Sequence, residues 1–457
     1  MSIVEDPLPA FTDAACAPLD RSHATGTLDR AESILAAHPE VAHASVHTGA
    51  ILGDDETVRR FLSLDPRQAT AQGGPRGWDA LTHLCFSRYL RLDQSKSAGF
   101  VRAATALLDA GASANTGWTE LKHQPSAEWE SALYGAAGVA HHPELTRLLL
   151  DRGANPNDEE TVYHTPESFD NRALHALVET GRLTDGSLAT ILIRKTDWHD
   201  YTALKWLLER GVHPDLQGRW GRTALHNAIQ RDNALEIVDL LLDHGADPRI
   251  VAGGRTAIAT AARRGRADAL ASFERRGIPD ALRGVERLIA ACAQNDSAAV
   301  HDLATREPAL VGELLAEGGT LLAEFAGTGN TEGVRQLLDL GVKAGTAYAA
   351  GNGYFGIPAR STALHVAAWR AYPSTVRLLI ERGARVDLPD ANGCTPLALA
   401  VRACVDSYWI DRRSPDSVAA LLQAGASVRG IDVPCGYAAV DALLESAANT
   451  LHRSNDE

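Results

Sequence analysis

The sequence predicts an all-α solenoid of stacked helix-turn-helix units joined by hairpin-like loops. Three observations carry that expectation. The stretch TALHNAIQRDNALEIVDLLLDHGADP at 223–248 returns as TALHVAAWRAYPSTVRLLIERGARVD from Thr362, as SALYGAAGVAHHPELTRLLLDRGANPN from Ser131 and as TPLALAVRA from Thr395. The return has a period: Thr256 follows Thr223 by 33 residues, and Thr395 follows Thr362 by 33. Each copy holds two short helical patterns, too small to bury an apolar face alone, so copies must stack into one core with each unit touching its neighbours.

Within one copy each element has a local cause. Thr223 is placed to cap the first helix with its hydroxyl. Where proline follows, as in Thr165-Pro166 and Thr395-Pro396, it takes the first helical position, where no N–H is missed. The first helix, ALHNAIQ, is rich in Ala and allows close approach. The second, ALEIVDLLLDH, sets Ile237, Val238, Leu241 and Leu242 on one stripe, with Glu236, Asp239 and Asp243 opposite. Gly245 supplies the left-handed residue that closes it. The same template places unit starts at Ala44, Asp79, Ser131, Thr165, Ala189, Thr223, Thr256, Glu286, Thr320, Thr362 and Thr395. The unit at Thr165 looks truncated.

The period, the T-x-L-H-x-A opening and the LL-x-x-G-A close resemble ankyrin repeats. The resemblance implies about eleven units over 26–447 with capping helices, a loose N-terminal arm over 1–25 and a frayed tail over 448–457. Four insertions interrupt the pattern. Residues 87–99 and 405–416 fall between the two helices of a unit. Residues 341–361 and 115–129 fall where ankyrins carry a hairpin finger.

Composition narrows the function. The 457 residues carry 58 acidic and 44 basic side chains, a formal charge of -14, which argues against nucleic acid or an anionic membrane as partner. The sequence start has no basic region followed by an apolar run, and no apolar run of about twenty residues appears, so a cytoplasmic protein is expected. The six cysteines form no C-x-x-C pair and read as small buried residues in a reducing compartment.

No catalytic, cofactor-binding or metal-ligating set is expected. GNGYFG at 351–356 has the glycine spacing of a dinucleotide loop, but no strand and helix frame it. His226 and His365 stand at the H of T-x-L-H, which ankyrins use as a structural hydrogen bonder. What stands out instead is arginine and tryptophan at finger and helix-end positions. Arg219, Trp220, Arg222, Gln230, Arg231, Arg255, Arg263, Arg264, Trp369, Arg370 and Arg402 fall at phases that line the concave face of an ankyrin stack. Tyr354, Phe355, Tyr408 and Trp409 are the aromatic candidates on the long loops. Arg and Trp are enriched at binding hot spots, and Arg suits carboxylates. The resemblance therefore implies a non-catalytic protein-binding scaffold, its partner a protein with an acidic segment. Two alternatives stay open: an enzyme with a small-molecule pocket in the groove or under the 341–361 loop, and an immunity- or inhibitor-type protein for one partner.

Overall fold

The copy at 223–248 shows how a unit is made. In the computed structural model, which describes residues 6–19, 22–122 and 126–455, it folds into helices Ala224–Gln230 and Leu235–Asp243. Ile237, Val238, Leu240 and Leu241 are buried, so Leu240 takes the place expected for Leu242, which is half-buried. Each such side chain contributes about 1.5–3 kcal/mol of burial. Gly245 closes the helix at φ +91°, in the left-handed region. Thr256 and Thr395 cap their helices by accepting from the backbone N–H of Ala259 (3.1 Å) and Ala398 (3.3 Å).

The chain divides into two compact units, Met1–Ala224 and Leu225–Glu457. In the first, helix pairs follow one another as Val46–Leu52 with Asp55–Leu64, Ala80–Cys85 with Ser97–Asp109, and Ala132–Tyr134 with Pro143–Asp151. Glu159–His164 with Arg172–Glu179, and Asp185–Asp197 with Tyr201–Glu209, complete it. The finger at 115–129 is an antiparallel hairpin, Gly117–Glu120 against Glu128–Ser131, in which Trp118 faces Glu130 and Glu120 faces Glu128. Residues 123–125 of that finger lie outside the described residues.

The second unit continues with Ala257–Arg263 and Ala267–Arg275, Val285–Ala293 and Ser297–Arg306, the extra helix Pro308–Ala316, and Gly318–Thr328 with Thr331–Asp339. Ala363–Trp369 with Pro373–Glu381, Pro396–Asp406 with Asp416–Gln423, and the final helix Ala438–Asn455 follow. Close stacking depends on Gly265 (φ +68°), where a Cβ would come within 2.8 Å of the Phe325 ring.

Several expectations need correction. The segment taken as a loose arm contains helix Pro7–Ala15, capped by Asp6, with Phe11 fully buried. Residues 1–5, 20 and 21 of that arm lie outside the described residues. The tail expected to fray from 448 is helical to Asn455, with 456 and 457 outside the description. Thr165 does not open a helix. It ends Glu159–His164, its hydroxyl donating back to the Thr161 carbonyl at 2.7 Å, and the unit is complete rather than truncated. Ala189, Glu286 and Thr320 lie inside helices that start at Asp185, Val285 and Gly318. Contacts in the second unit also reach beyond neighbouring pairs: Asp232, after the first of its helices, meets Arg370, after helix Ala363–Trp369.

A candidate binding cleft in the second unit

The histidines of T-x-L-H are structural. His365 Nδ1 accepts from the Thr362 backbone N–H (3.1 Å) and Nε2 lies 2.7 Å from the Leu388 carbonyl, which requires the proton on Nε2. Burial lowers the pKa of this ring, in keeping with a neutral imidazole. His226 Nε2 reaches the Arg255 carbonyl at 3.3 Å, tying its unit to the next finger.

The structure brings five of the predicted residues together. Gln230, Arg231, Arg255, Arg263 and Arg264 line one cleft of about 360 Å³, closed on its far side by Glu317, Glu324 and Asn352. The arginines are not equivalent. Arg263 donates to Glu286 and to Glu317, each at 2.7 Å, and is 14% exposed. Arg264 is buried between Asp232 (2.5 Å) and Glu324, and Glu324 also accepts from the Tyr348 hydroxyl. Arg255 is 48% exposed and lies 4.0 Å from Glu286. Arg231 stacks on the exposed ring of Tyr354, its guanidinium carbon 3.8 Å from the centroid.

Behind the cleft the side chains form a latch. Arg370, 3% exposed, meets Asp232 at 3.0 Å and lies over the rings of Phe355 (4.0 Å) and Trp409 (4.8 Å). Trp369 is buried, donating its indole N–H to the Phe355 carbonyl at 2.7 Å, and Trp409 donates to the Trp369 carbonyl at 3.0 Å. Arg402 lies over the Trp369 ring at 4.9 Å. Burial would push the Asp232 carboxyl up, but Arg264 and Arg370 outweigh it and hold it below the ordinary carboxylate value. Asp232 sits at φ +52°, a conformation Asp tolerates and most side chains avoid. The expectation that Arg264, Trp369, Arg370 and Phe355 line an open surface is therefore corrected: they are buried against internal carboxylates, carbonyls and ring faces. In the 341–361 loop Tyr348, Phe355 and Ile357 pack against Val366 and Trp369, while Asn352 lines the cleft.

The remaining predicted residues stand elsewhere. In the first unit Arg219 contacts Glu159 at 3.1 Å and lies over the rings of Tyr163 (5.0 Å) and Trp220 (5.1 Å), with Arg222 over Trp220 at 5.7 Å. Trp220 is 37% exposed. In the second unit Tyr408 is 95% exposed.

Residues 190–273 and 288–390 match the family model for ankyrin repeats (3 copies). Over those residues the chain is similar to ankyrin repeats. It is similar to serine/threonine-protein kinase 12 of Arabidopsis thaliana, 40% identical over 85 residues, which are 19% of this chain and 17% of that protein. It is also similar to 2-5A-dependent ribonuclease of Mus musculus, 43% identical over 58 residues, 12% of this chain and 8% of that one. The chain spans less than a fifth of the length of these curated relatives. Among solved structures it is similar to the ankyrin repeat domain of Bcl-3, with a TM-score of 0.22 and 21% identity over 50% of this chain and 96% of that one.

Ankyrin repeats are in general protein–protein interaction modules. No helix among the described residues is long and apolar enough to cross a membrane. Two sets of residues carried no sequence signal. One is the acidic half of the cleft and latch, Asp232, Glu286, Glu317 and Glu324, which looks like ordinary solvated charge in the sequence. The other is His23, Glu120 and Glu130 in the first unit, whose side chains could hold a metal ion together.

Proposed function

We propose that this chain is a non-catalytic protein-binding scaffold and that the cleft of its second unit takes an acidic segment of the partner. The observation that carries the reading is the convergence of four arginines on one cleft. Arg263 and Arg264 are committed to internal carboxylates and set the shape of the wall. Arg255, half-exposed and 4.0 Å from Glu286, offers a guanidinium for bidentate carboxylate recognition, and Arg231 over the Tyr354 ring adds positive charge beside it. Tyr354 adds an exposed ring of the kind found at hot spots. The net charge of -14 repels an acidic partner elsewhere and favours this local exception.

The test is comparative capture from a cell lysate by the tagged full-length chain. Wild type, the pair Arg231→Glu/Arg255→Glu, and Glu236→Lys on an exposed outer helix face are compared by quantitative mass spectrometry after circular dichroism shows equal helicity. Proteins retained by wild type and Glu236→Lys but lost from the arginine pair support the reading. Equal capture by the arginine pair, with loss from Glu236→Lys, overturns it.

A further inference from the structure

The first unit contains an arrangement the binding reading does not use. The inner face of its hairpin carries Trp118 and Glu120 on one strand and Glu128 and Glu130 on the other. Glu120 stands directly opposite Glu128, a like-charge pairing that works against the ladder. Glu130 is 1% exposed, and its Oε2 has no hydrogen-bond partner among the described residues. A buried carboxylate oxygen left in that state is costly unless a cation answers it.

His23 comes to the same place from far along the chain. Its ring lies against Phe86, Trp118 and Tyr134, at centroid distances of 6.1, 5.6 and 5.7 Å, and is 7% exposed. Nε2 is 3.6 Å from Glu120 Oε2, and Nδ1 is 3.8 Å from Glu130 Oε2. Both separations are long for a hydrogen bond. The Nε2–Glu120 separation is close to the spacing of about 3.4 Å between two ligand atoms on one tetrahedral ion with bonds of about 2.0–2.1 Å, and the Nδ1 separation places Glu130 beside the same ring. One ligand atom from each of the three residues lies within 4.8 Å of the others, so a closure of at most about 1.4 Å completes the set. Nδ1 is also 3.0 Å from the Tyr134 hydroxyl. With the Nδ1 proton given to that oxygen, the Nε2 lone pair is aimed at Glu120, the orientation in which a second-shell partner fixes a metal-binding histidine.

We propose that His23, Glu120 and Glu130 form a binding site for one divalent transition-metal ion of the zinc class, which fastens the segment around His23 to the hairpin. One imidazole and two carboxylates suit zinc and its neighbours. The set is too small and too nitrogenous for calcium, which takes six to eight oxygens. The walls of Trp118, Phe86 and Tyr134 lower the local dielectric and strengthen the attraction between ion and carboxylates, with one water as the fourth ligand.

The experiment uses the full chain after chelator treatment. Calorimetric titration with zinc chloride measures affinity, and cobalt chloride reports geometry through its visible absorption. The site predicts one tight equivalent of zinc and a tetrahedral cobalt band. Glu130→Gln and His23→Gln weaken zinc binding at least 100-fold, Tyr134→Phe weakens it about tenfold, and His38→Gln on the exposed surface leaves it unchanged. Glu120→Gln provides an independent arm should either of the first two variants lose its helical circular dichroism. Absence of a tight equivalent, weak binding spread over the chain's seventeen histidines, or a tight equivalent that survives the His23, Glu120 and Glu130 substitutions would each overturn the proposal.

Discussion

Substituting Asp232 by Asn removes one charge from the latch and little else. Asn keeps the size of the side chain and tolerates the left-handed backbone at φ +52°. The lost charge faces two buried cations, Arg264 at 2.5 Å and Arg370 at 3.0 Å. Arg264 keeps Glu324. Arg370, 3% exposed, is left with the ring faces of Phe355 and Trp409. Breaking a buried pair from one side costs about 3–5 kcal/mol, and the second partner of Arg264 places this case near 3. At 1.36 kcal/mol per tenfold, that is a factor on the order of 10² in the opening equilibrium. Native-state hydrogen exchange with peptide resolution reads it directly. Amides of helix Ala363–Trp369 should exchange on the order of 100-fold faster, while those of Asp185–Asp197 in the first unit keep their rates. Adding Arg370→Met to Asp232→Asn removes the stranded charge and should recover most of the protection. Asp232 has a lowered folded pKa, so its contribution is complete above about pH 4 and is lost as pH falls through the lower folded value. The difference between wild type and variant should therefore hold at neutral pH and fade in acid. A change under about threefold in Ala363–Trp369, or a double variant no better protected than the single one, would refute the latch.

Further outcomes follow from other contacts. Burial opposes charge on His164, yet Glu160 and Glu167 at 3.1 and 3.0 Å hold its pKa up to about 9. A raised histidine stabilises fully below its unfolded value of about 6.5 and loses that contribution as pH rises through 9. The melting temperature of the first unit should fall over that window, and His164→Asn should flatten the fall. Gly265→Ala strains a left-handed residue and drives a Cβ against Phe325, so thermal melting should report a loss of about 1–3 kcal/mol; an unchanged melting temperature would contradict the packing there. Deleting 223–255, one period, takes Asp232 away and strands Arg370. The shortened chain should melt lower than wild type and gain stability from Arg370→Met; a gain of nothing would show that the units touch only their neighbours.

The parts of the fold written in short-range chemistry were legible. Thr256 and Thr395 as caps, Gly245 as a closing residue and the apolar stripe at 237–241 depend on residues a few places apart, so the repeat period exposed them. Unit starts at Glu159 and Gly318 escaped because no threonine of the template marks them, Asp185 escaped because its cap Thr184 is followed by DGS and not by the template's x-L-H, and Thr165 misled because its hydroxyl turns back to end a helix. The cleft was half legible. Its arginines recur at matching phases of two repeats, but which carboxylate each one meets depends on Asp232, Glu286, Glu317 and Glu324, and Arg264 finds Glu324 only across 60 residues. Phe355 and Ile357 did carry a signal: two apolar side chains alternating within GNGYFGIP mark a loop that packs inward. The His23 set had none, since its hydroxyl partner Tyr134 is 111 residues away and no spacing rule reaches so far.

The central claim is that Arg231 and Arg255, and not the buried latch, receive the partner. Surface kinetics with a captured partner, measured at about 0.05 and 0.5 M salt, test it most directly. The account predicts that Arg231→Glu/Arg255→Glu slows association at least tenfold at low salt and that the gap to wild type closes at high salt, because exposed charges steer and salt screens them. Association rates equal to wild type at both salt concentrations, with Glu236→Lys slowing them instead, would contradict it.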